Sequence, residues 1–272
     1  MVLALDIGGT NIRSAVVQGT RLSLYRKTRT PRKKKDILKV IEEMVDSYGK
    51  QNVICVATAG FERGGKIQHS LNADINGLAL SAILRRKFRA KVYLDNDANC
   101  AGLAELHYGA GKGLRNFVLL TLGTGIGGAI VVDGKLYRGN GAAGETGSMV
   151  INNGKIFEDL ASGRASVLIA RRAGLKVSSL ELEKLADKGN KKALGVYNKV
   201  GENLGVGLAN IAHIFDPDVI IIGGGFSRVK YIYASARKTF ESLYRIVPRA
   251  KIVKAKFGDD AGLIGAGLLS KN

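Results

Sequence analysis

The amino-acid sequence predicts an α/β protein of two lobes, and three observations lead to this prediction. The run 3–17 reads as an apolar strand, a glycine-rich turn and a returning strand. The run 117–137 has the same order, and both runs continue through a turn into a third strand. A third glycine cluster follows the apolar run 219–222. Because one strand-and-turn unit occurs twice, the sequence indicates an internal duplication with two lobes that face one nucleotide.

The first glycine-rich turn has the composition of a phosphate-binding backbone. Gly8 and Gly9 have no side chain, so their N–H groups can approach an anion closely, and Thr10 adds a hydroxyl donor. Asp6, at the end of the first strand, offers a hard oxygen ligand to a nucleotide-bound Mg²⁺ that keeps most of its waters. A plain β-hairpin is the alternative for this motif alone, and the return of the pattern favours phosphate binding.

The other two glycine clusters extend this interpretation to a whole nucleotide. In the second turn, Gly123, Thr124 and Gly125 would meet the β- and γ-phosphates. The cluster 223–225 supplies bare backbone that could lie flat against an adenine or a ribose.

The composition is that of a globular chain with a sizeable core, because 46% of its 272 residues are hydrophobic. No stretch of about twenty apolar residues could span a bilayer. The sequence also enters a strand at once, without a basic leader and an apolar signal core, so we expect a cytoplasmic protein. Cys55 and Cys100 stand in apolar or helical contexts and predict core residues, with neither a disulfide framework nor a cysteine zinc site.

The chain carries a formal charge of +19, from 42 Lys and Arg against 23 Asp and Glu. This charge attracts nucleotides, sugar phosphates and, less specifically, nucleic acid. The densest basic run, 29–35, lies between a strand and a helix and contains no aromatic residue for base stacking. A solvated surface explains the run, and nucleic acid is disfavoured as a partner because no recognition motif accompanies it.

The first lobe continues with a helix, a buried strand and a loop. Asp36 is expected to cap a helix that reaches about Tyr48 and covers the sheet with its apolar face. The run 53–57 predicts a strand buried on both faces, and its end at 58–60 is where a ligand cleft is expected. The stretch 64–80 reads as a loop.

Two carboxylates and an amide follow the next strand, 92–94, and precede a helix from about Ala98 to Tyr108. Asp95 and Asp97 alternate along an extended chain, so one can cap the helix while the other faces the ligand. The alternative is that both only cap. The convergence of a strand end, Asn96 and a carboxylate favours a general base at this place.

The glycine-rich stretch 109–113 predicts the boundary between the lobes, so that residues 1–110 form the N-terminal lobe and residues 111–259 form the C-terminal lobe. In the second lobe, the run 139–147 is too rich in glycine for a regular element, and it carries Glu145. This carboxylate suits the paired hydroxyls of a sugar, although solubility alone would also explain it.

The rest of the second lobe reads as mostly helical. Helical spacing runs from 164 to about 215, most clearly at 180–188 and 197–214. A strand at 219–222, a helix at about 231–244 and a strand at 251–255 follow. Asp259 and Asp260 are expected to cap a closing helix from about Ala261, whose small residues permit close packing.

Taken together, these motifs resemble the ROK sugar-kinase family, within the actin, hexokinase and Hsp70 ATPase superfamily. In family order they are DIGGTNIRSAV at Asp6, LDNDANCAGLAE at Leu94, LTLGTGIGGAIVVDGKLYRG at Leu120, GAAGETGSM at Gly141, ASG at Ala161 and IIIGGG at Ile220. The resemblance implies two ribonuclease-H-like lobes with an ATP and sugar cleft between them, and a closing helix, 260–272, that joins the first lobe. The implied reaction transfers the γ-phosphoryl group of ATP to a sugar hydroxyl, with Mg²⁺ as cofactor.

The resemblance also implies a role for individual residues. Asp97 would be the general base and Asn96 would hold a sugar hydroxyl, while Glu145 and Asn72 would contact the sugar. Glu105 matches a glutamate common in the family, or it is a charge on the helix face. The implied nucleotide contacts are Gly8, Gly9, Thr10, Asn11, Gly123, Thr124, Gly125, Gly223, Gly224 and Gly225.

The sequence departs from the family pattern after Glu145. Ser148 stands where the family has a histidine, and the cysteine-rich zinc segment is replaced by 152–158, NNGKIFE. Glu158 still stands at the family distance before the ASG motif, so the resemblance implies that it contacts the sugar. We expect no zinc and a sugar site held by packing alone. The departure bears on the identity of the sugar more than on the class of reaction.

Other functions of the same fold remain as alternatives. A ROK transcription regulator would need an N-terminal winged helix, whereas this sequence begins at the phosphate strand. A non-catalytic ATPase or sugar sensor would not need an Asn-Asp pair together with a sugar-facing glutamate. Among sugars, glucose, mannose and N-acetylated hexosamines all fit, so an N-acetylhexosamine kinase is the alternative to a glucokinase-type enzyme. The resemblance suggests a homodimer.

Overall fold

The computed structural model describes residues 1–70, 73–247 and 250–271, so the predicted sugar contact Asn72 lies outside the described residues. The chain divides into two compact units. Unit 1 comprises Met1–Lys112, Leu136–Ala143 and the residues from Asp259 onward, and unit 2 comprises Gly113–Lys135 and Gly144–Gly258. The sequence did not predict that 136–143 would pack with unit 1.

Unit 1 contains a mixed sheet in the order β3-β2-β1-β4-β7. Its strands are β1 (Val2–Ile7), β2 (Asn11–Gln18), β3 (Arg21–Arg29), β4 (Val53–Thr58) and β7 (Lys91–Asn96). β1 and β2 are antiparallel and are joined by the first glycine-rich turn, whereas β1, β4 and β7 are parallel. The carboxyl ends of the parallel strands therefore meet at one edge of the sheet, which is where α/β proteins bind ligands.

The helices of unit 1 are α1 (Lys34–Asp46), α2 (Leu80–Phe88), α3 (Asp97–Tyr108) and α9 (Ala261–Ala266). α1 buries Ile37, Ile41, Met44 and Val45, as its periodicity predicts. The small residues of α9 do permit close packing, because a Cβ at Gly265 would overlap the carbonyl of Cys100 on α3.

Three local predictions in unit 1 were wrong. Asp36 does not cap α1, since the helix begins two residues earlier, with Lys33 at the N-cap, and Asp36 lies in the first turn. The stretch 64–80 is not only loop, because β5 (Phe61–Arg63) and β6 (Lys66–Gln68) form a hairpin through Gly64 and Gly65 and α2 begins at Leu80. Both glycines have positive φ, 60° and 74°, the conformation of a two-residue hairpin turn. Asp260 stands at the N-cap of α9, but its side chain accepts no capping hydrogen bond.

The second predicted sheet has the order β10-β9-β8-β13-β14, and its strands β8, β9, β13 and β14 lie in unit 2. Its strands are β8 (Phe117–Leu122), β9 (Ile126–Val132), β10 (Lys135–Tyr137), β13 (Val219–Gly223) and β14 (Lys251–Lys254). β8 and β9 are antiparallel across the second glycine-rich turn, and β8, β13 and β14 are parallel. The arrangement repeats that of the first sheet, which agrees with the predicted duplication.

The helices of unit 2 are α4 (Phe157–Ala161), α5 (Gly163–Arg172), α6 (Ser179–Asp187), α7 (Lys191–Phe215) and α8 (Tyr233–Leu243). A short hairpin, β11 (Val150–Asn152) and β12 (Lys155–Ile156), precedes α4 and was not predicted. The apolar stripe of α7 is core, since Leu204, Leu208 and Ile211 are buried.

Both cysteines are buried free thiols, as predicted. Burial raises the pKa of Cys55 to about 11 and also raises the pKa of Cys100, so both thiols stay protonated and unreactive at neutral pH. No helix in the described part of the chain is long and apolar enough to cross a membrane.

Candidate active site

The first glycine-rich turn of unit 1 is held by its own carbonyls. Gly8 N–H donates to Asn11 O at 3.0 Å, and Thr30, just after β3, donates from its N–H to Thr10 O at 3.0 Å and from its hydroxyl to Gly8 O at 2.6 Å. Gly9 and Thr10 are exposed. Because the protein engages these carbonyls and the Gly8 N–H, the turn offers a ligand the N–H groups after Gly8 and the Thr10 hydroxyl, which are the donors that an anion needs.

Asp6 ends β1 beside this turn and is paired across the sheet with Arg13, whose Nη1 lies 3.6 Å from Asp6 Oδ2. Burial raises the pKa of Asp6 to about 6, against the lowering effect of Arg13, and the negative charges of Asp259 and Asp260 raise it further. Added negative charge favours a cation at this place. The described residues include no group of three or more His, Cys, Asp or Glu that could hold a metal. A Mg²⁺ that keeps its waters needs only one or two carboxylates, so Asp6 fits the predicted role.

The segment 95–97 joins β7 to α3, and Asn96, not an aspartate, caps the helix. Asn96 Oδ1 accepts hydrogen bonds from Ala98 N–H at 2.8 Å and Asn99 N–H at 3.2 Å. Its Nδ2 donates to the carbonyl of Gly60, beyond β4, at 3.1 Å. The idea that Asp95 or Asp97 provides the cap was therefore wrong, and one hydrogen of Asn96 Nδ2 remains for a ligand.

The two aspartates of this segment have different surroundings. Asp95 Oδ1 accepts from Asn96 N–H and from Asn99 Nδ2, both at 2.8 Å, and Oδ2 accepts from Arg138 Nε at 2.7 Å. Asp97 is the first residue of α3 and is partly exposed, and its Oδ1 accepts the N–H of Ala98 at 2.8 Å. Because both oxygens of Asp95 hold the protein together, Asp97 is the better placed of the two to receive a proton.

Glu105 is not a charge on a solvated helix face, since its residue is fully buried on α3. Its Oε2 accepts the N–H of Ala110 at 2.7 Å, and a Cβ at Gly109 would overlap this carboxylate. Glu105 thus fixes the turn that follows α3, at the boundary of unit 1.

The second glycine-rich turn, in unit 2, is held by the start of α5. Gly163 N–H donates to Gly123 O at 2.9 Å, and Arg164 N–H donates to Thr124 O at 3.2 Å. A Cβ at Gly163 would lie 2.8 Å from Gly123 O, so the ASG motif needs its glycine for this close approach. As in unit 1, carbonyls of the turn are engaged by the protein and its first N–H is used internally, since Gly123 N–H donates to Gly125 O at 2.9 Å. The N–H groups that follow are what the turn can offer a phosphate.

Glu158 also holds this turn. Its residue is 8% exposed, and its Oε2 accepts the N–H of Ile126 at 3.2 Å while its Oε1 accepts from Arg164 Nη2 at 3.0 Å. Arg164 Nη2 donates to Asp159 Oδ1 as well, at 3.0 Å. The expectation that packing alone holds this region was therefore wrong, because an ion-paired arginine does so.

The loop that carries Glu145 packs on β9. A Cβ at Gly128 of this strand would lie 2.6 Å from Gly144 O, so the two glycines allow the backbones to touch. Glu145 is half-buried and precedes a 3-10 turn, Thr146–Ser148, at whose end Ser148 is exposed.

In the third glycine cluster only part of the backbone faces outward. Gly223 ends β13 and is buried, and a Cβ at Gly224, whose φ is 84°, would overlap Leu122 O. Gly225 is exposed, and a Cβ there would meet no atom within 4 Å. Gly225 is therefore the member that a ligand can lie against without disturbing the fold.

The site includes residues that the sequence did not point out. Thr30 holds the first turn, Gly163 and Arg164 hold the second, and Arg138 binds Asp95. The sequence pointed out the ASG motif but assigned its glycine no function. It did not point out Thr30, Arg138 or Arg164, because a threonine or an arginine in a basic chain is not distinctive.

Comparison with known proteins gives a consistent result. A family model described as the ROK family matches residues 2–272. The chain is 31% identical to a glucokinase of Halalkalibacterium halodurans, over 99% of this chain and 94% of the relative. It is 30% identical to an N-acetyl-D-glucosamine kinase of Photobacterium profundum, over 99% of each. A ROK family glucokinase from Streptomyces griseus, in complex with glucose and AMPPNP, superposes with a TM-score of 0.88 at 28% identity, covering 100% of this chain and 99% of that one.

Proposed function

Because the chain belongs to the ROK family and is an ATP-dependent sugar kinase, we propose that it transfers the γ-phosphate of ATP to a hydroxyl of a hexose, with Asp97 as the general base. One observation carries the assignment of the base. Both oxygens of Asp95 accept hydrogen bonds from Asn96, Asn99 and Arg138, whereas Asp97 stands partly exposed at the first residue of α3.

In this mechanism the protein positions the reactants and stabilises charge. Asp97 accepts the proton of the attacking sugar hydroxyl late in the transfer. The remaining hydrogen of Asn96 Nδ2 donates to a neighbouring sugar hydroxyl, and Glu145 accepts from another. Glu158, whose two oxygens already accept from Ile126 and Arg164, is proposed as a sugar contact by resemblance. Asn72 belongs to the same proposal by resemblance.

The nucleotide contacts are proposed for backbone donors of both units. The phosphate contacts are Gly8, Gly9, Thr10 and Asn11 in unit 1 and Gly123, Thr124 and Gly125 in unit 2. The N–H groups of Gly8 and Gly123 donate within their own turns, so the N–H groups that follow them bind the phosphate oxygens. In the third glycine cluster, Gly225 presents its bare backbone to the adenosine, while the buried Gly223 and the closely packed Gly224 form the turn behind it. Asp6 would hold a nucleotide-bound Mg²⁺ through water, and the ion would neutralise charge on the phosphates.

The proposal includes a cytoplasmic location, where ATP is available, and a homodimer. The first rests on the need of the reaction for ATP and the second on the family resemblance.

A second candidate is an N-acetylhexosamine kinase. It is favoured by Ser148, because this exposed serine has a smaller side chain than the histidine that the family has at the position. The relationship to an N-acetyl-D-glucosamine kinase over 99% of the chain also supports it.

A panel of sugars in an ADP-release assay tests both candidates. Glucose, mannose, N-acetylglucosamine and N-acetylmannosamine are each offered with ATP and Mg²⁺, and ADP release without sugar is subtracted. Phosphorylation of glucose or mannose supports the first candidate, and phosphorylation of the N-acetylated sugars alone supports the second. ADP release that no sugar stimulates would refute the proposal.

A further inference from the structure

We propose that Arg138 is a positioning residue for the general base, acting on Asp97 through Asp95; the inference rests on the proposed function. Arg138 Nε donates to Asp95 Oδ2 at 2.7 Å, and the Asp95 side chain is only 10% exposed while that of Arg138 is 42% exposed. A carboxylate this buried needs a charged partner, and a charge-assisted bond to an arginine fixes its direction.

Asp95, held in place by Arg138, is hydrogen-bonded to the segment that carries the base. Its Oδ1 accepts from Asn96 N–H and Asn99 Nδ2, each at 2.8 Å. Asn96 in turn caps α3, at whose first residue Asp97 stands. Asp95 therefore links the end of β7 to the first turn of α3, and Arg138 sets the orientation of that link.

Arg138 is itself held in a defined loop. Its carbonyl accepts the N–H groups of Gly141 at 2.8 Å and Ala143 at 3.2 Å, within the segment 136–143 that packs with unit 1. A second arginine, Arg63 on β5, anchors the same segment by donating from Nη2 to Asn140 O at 2.8 Å. Arg63 therefore provides a matched control, because it holds the loop without touching Asp95.

A cavity of about 290 Å³ borders the pair, and both Asp95 and Arg138 line it. A small guanidinium ion can therefore be tested as a substitute for a missing Arg138 side chain. The structure thus allows chemical rescue, a readout that general destabilisation of the fold would not give.

The first experiment compares Arg138→Met with Arg63→Met in steady-state kinetics. We expect Arg138→Met to lower kcat by about 10- to 100-fold, the loss typical of a misplaced catalytic group, with the KM for ATP within about 2-fold of the wild-type value. Added ethylguanidinium should restore part of the lost kcat, while ethylammonium at the same concentration should not, because only the guanidinium reproduces the planar donors. Arg63→Met should keep the wild-type kcat. Equal losses in both variants, or no loss in Arg138→Met, would overturn the proposal.

A second readout does not depend on activity. Hydrogen exchange of the Ala98 and Asn99 amides, which the Asn96 cap protects, should be faster in Arg138→Met and unchanged in Arg63→Met. Unchanged exchange in Arg138→Met would refute the positioning role even if no sugar in the panel were phosphorylated. Faster exchange with an inactive wild-type protein would instead refute only the proposed function.

Discussion

The carboxylate of Glu158 lies directly against Gly125, since a Cβ at Gly125 would overlap Glu158 Oε2. A Cβ at Gly123, two residues earlier in the same turn, would meet no atom within 4 Å. Neither glycine has a positive φ, so a side chain at either would bring no left-handed backbone strain. Gly125 is needed because a side chain approaches it closely, whereas Gly123 is open toward a ligand.

The pair Gly123→Ala and Gly125→Ala should therefore separate ligand binding from turn structure. We expect Gly123→Ala to keep the melting temperature and to weaken ATP affinity in calorimetry, because its methyl group would contact the phosphate and no protein atom. Gly125→Ala should lower the stability of the fold by about 1–3 kcal/mol and should also weaken ATP affinity, because Glu158 must move. Wild-type ATP affinity in Gly123→Ala would contradict the phosphate assignment of this turn.

Asp97→Asn should lower kcat by about a hundredfold or more while keeping nucleotide affinity, since an amide cannot accept the proton. Asp36→Asn is the control, because Asp36 also lies in the first turn of a helix and is exposed. The control should cost only about 0.3–1 kcal/mol of stability, through the helix dipole, and leave kcat unchanged. Near-wild-type turnover of Asp97→Asn on every accepted sugar would remove Asp97 from its role.

Zinc should be absent from the purified protein, and a strong zinc chelator with ample Mg²⁺ should leave sugar phosphorylation unchanged. Arg164, not a metal, ties Glu158 to the turn, so Arg164→Met should lower turnover where the chelator does not. One tightly bound zinc per chain, lost together with activity when the chelator is added, would contradict this prediction. If the site is looser than in zinc-containing relatives, turnover should extend to more than one hexose.

The basic run 29–35 should assist nucleotide binding by electrostatics. Thr30, inside this run, is hydrogen-bonded to the first phosphate turn, and its neighbours Arg29 and Arg32 are exposed. The double variant Arg29→Gln/Arg32→Gln should therefore raise the KM for ATP several-fold at low salt, and the difference should shrink as salt screens the charges.

The control for this prediction is Lys191→Gln/Lys192→Gln, which removes the same charge from two exposed residues at the start of α7. Equal effects of the two double variants at every salt concentration would show that only net charge matters and that the position of the basic run does not.

The sequence by itself determined the strands, the glycine-rich turns and the duplication. The order of apolar runs and glycines specified β1, β2, β8 and β9, because strand periodicity and bare turn backbone are local properties. It missed the hairpin of β5 and β6, although Gly64 and Gly65 marked its turn, because each of these strands is only three residues long.

Only the tertiary structure decided what the charged side chains near the turns do. Asp95 and Arg138 stand 43 residues apart in sequence, and Glu158 and Ile126 stand 32 apart. Contacts of this kind arise when folding brings separate elements together, so no periodicity or spacing in the sequence predicts them. For this reason the residue pattern without the family resemblance did not separate Asp95 from Asp97, whereas in the folded chain both oxygens of Asp95 accept hydrogen bonds from other residues.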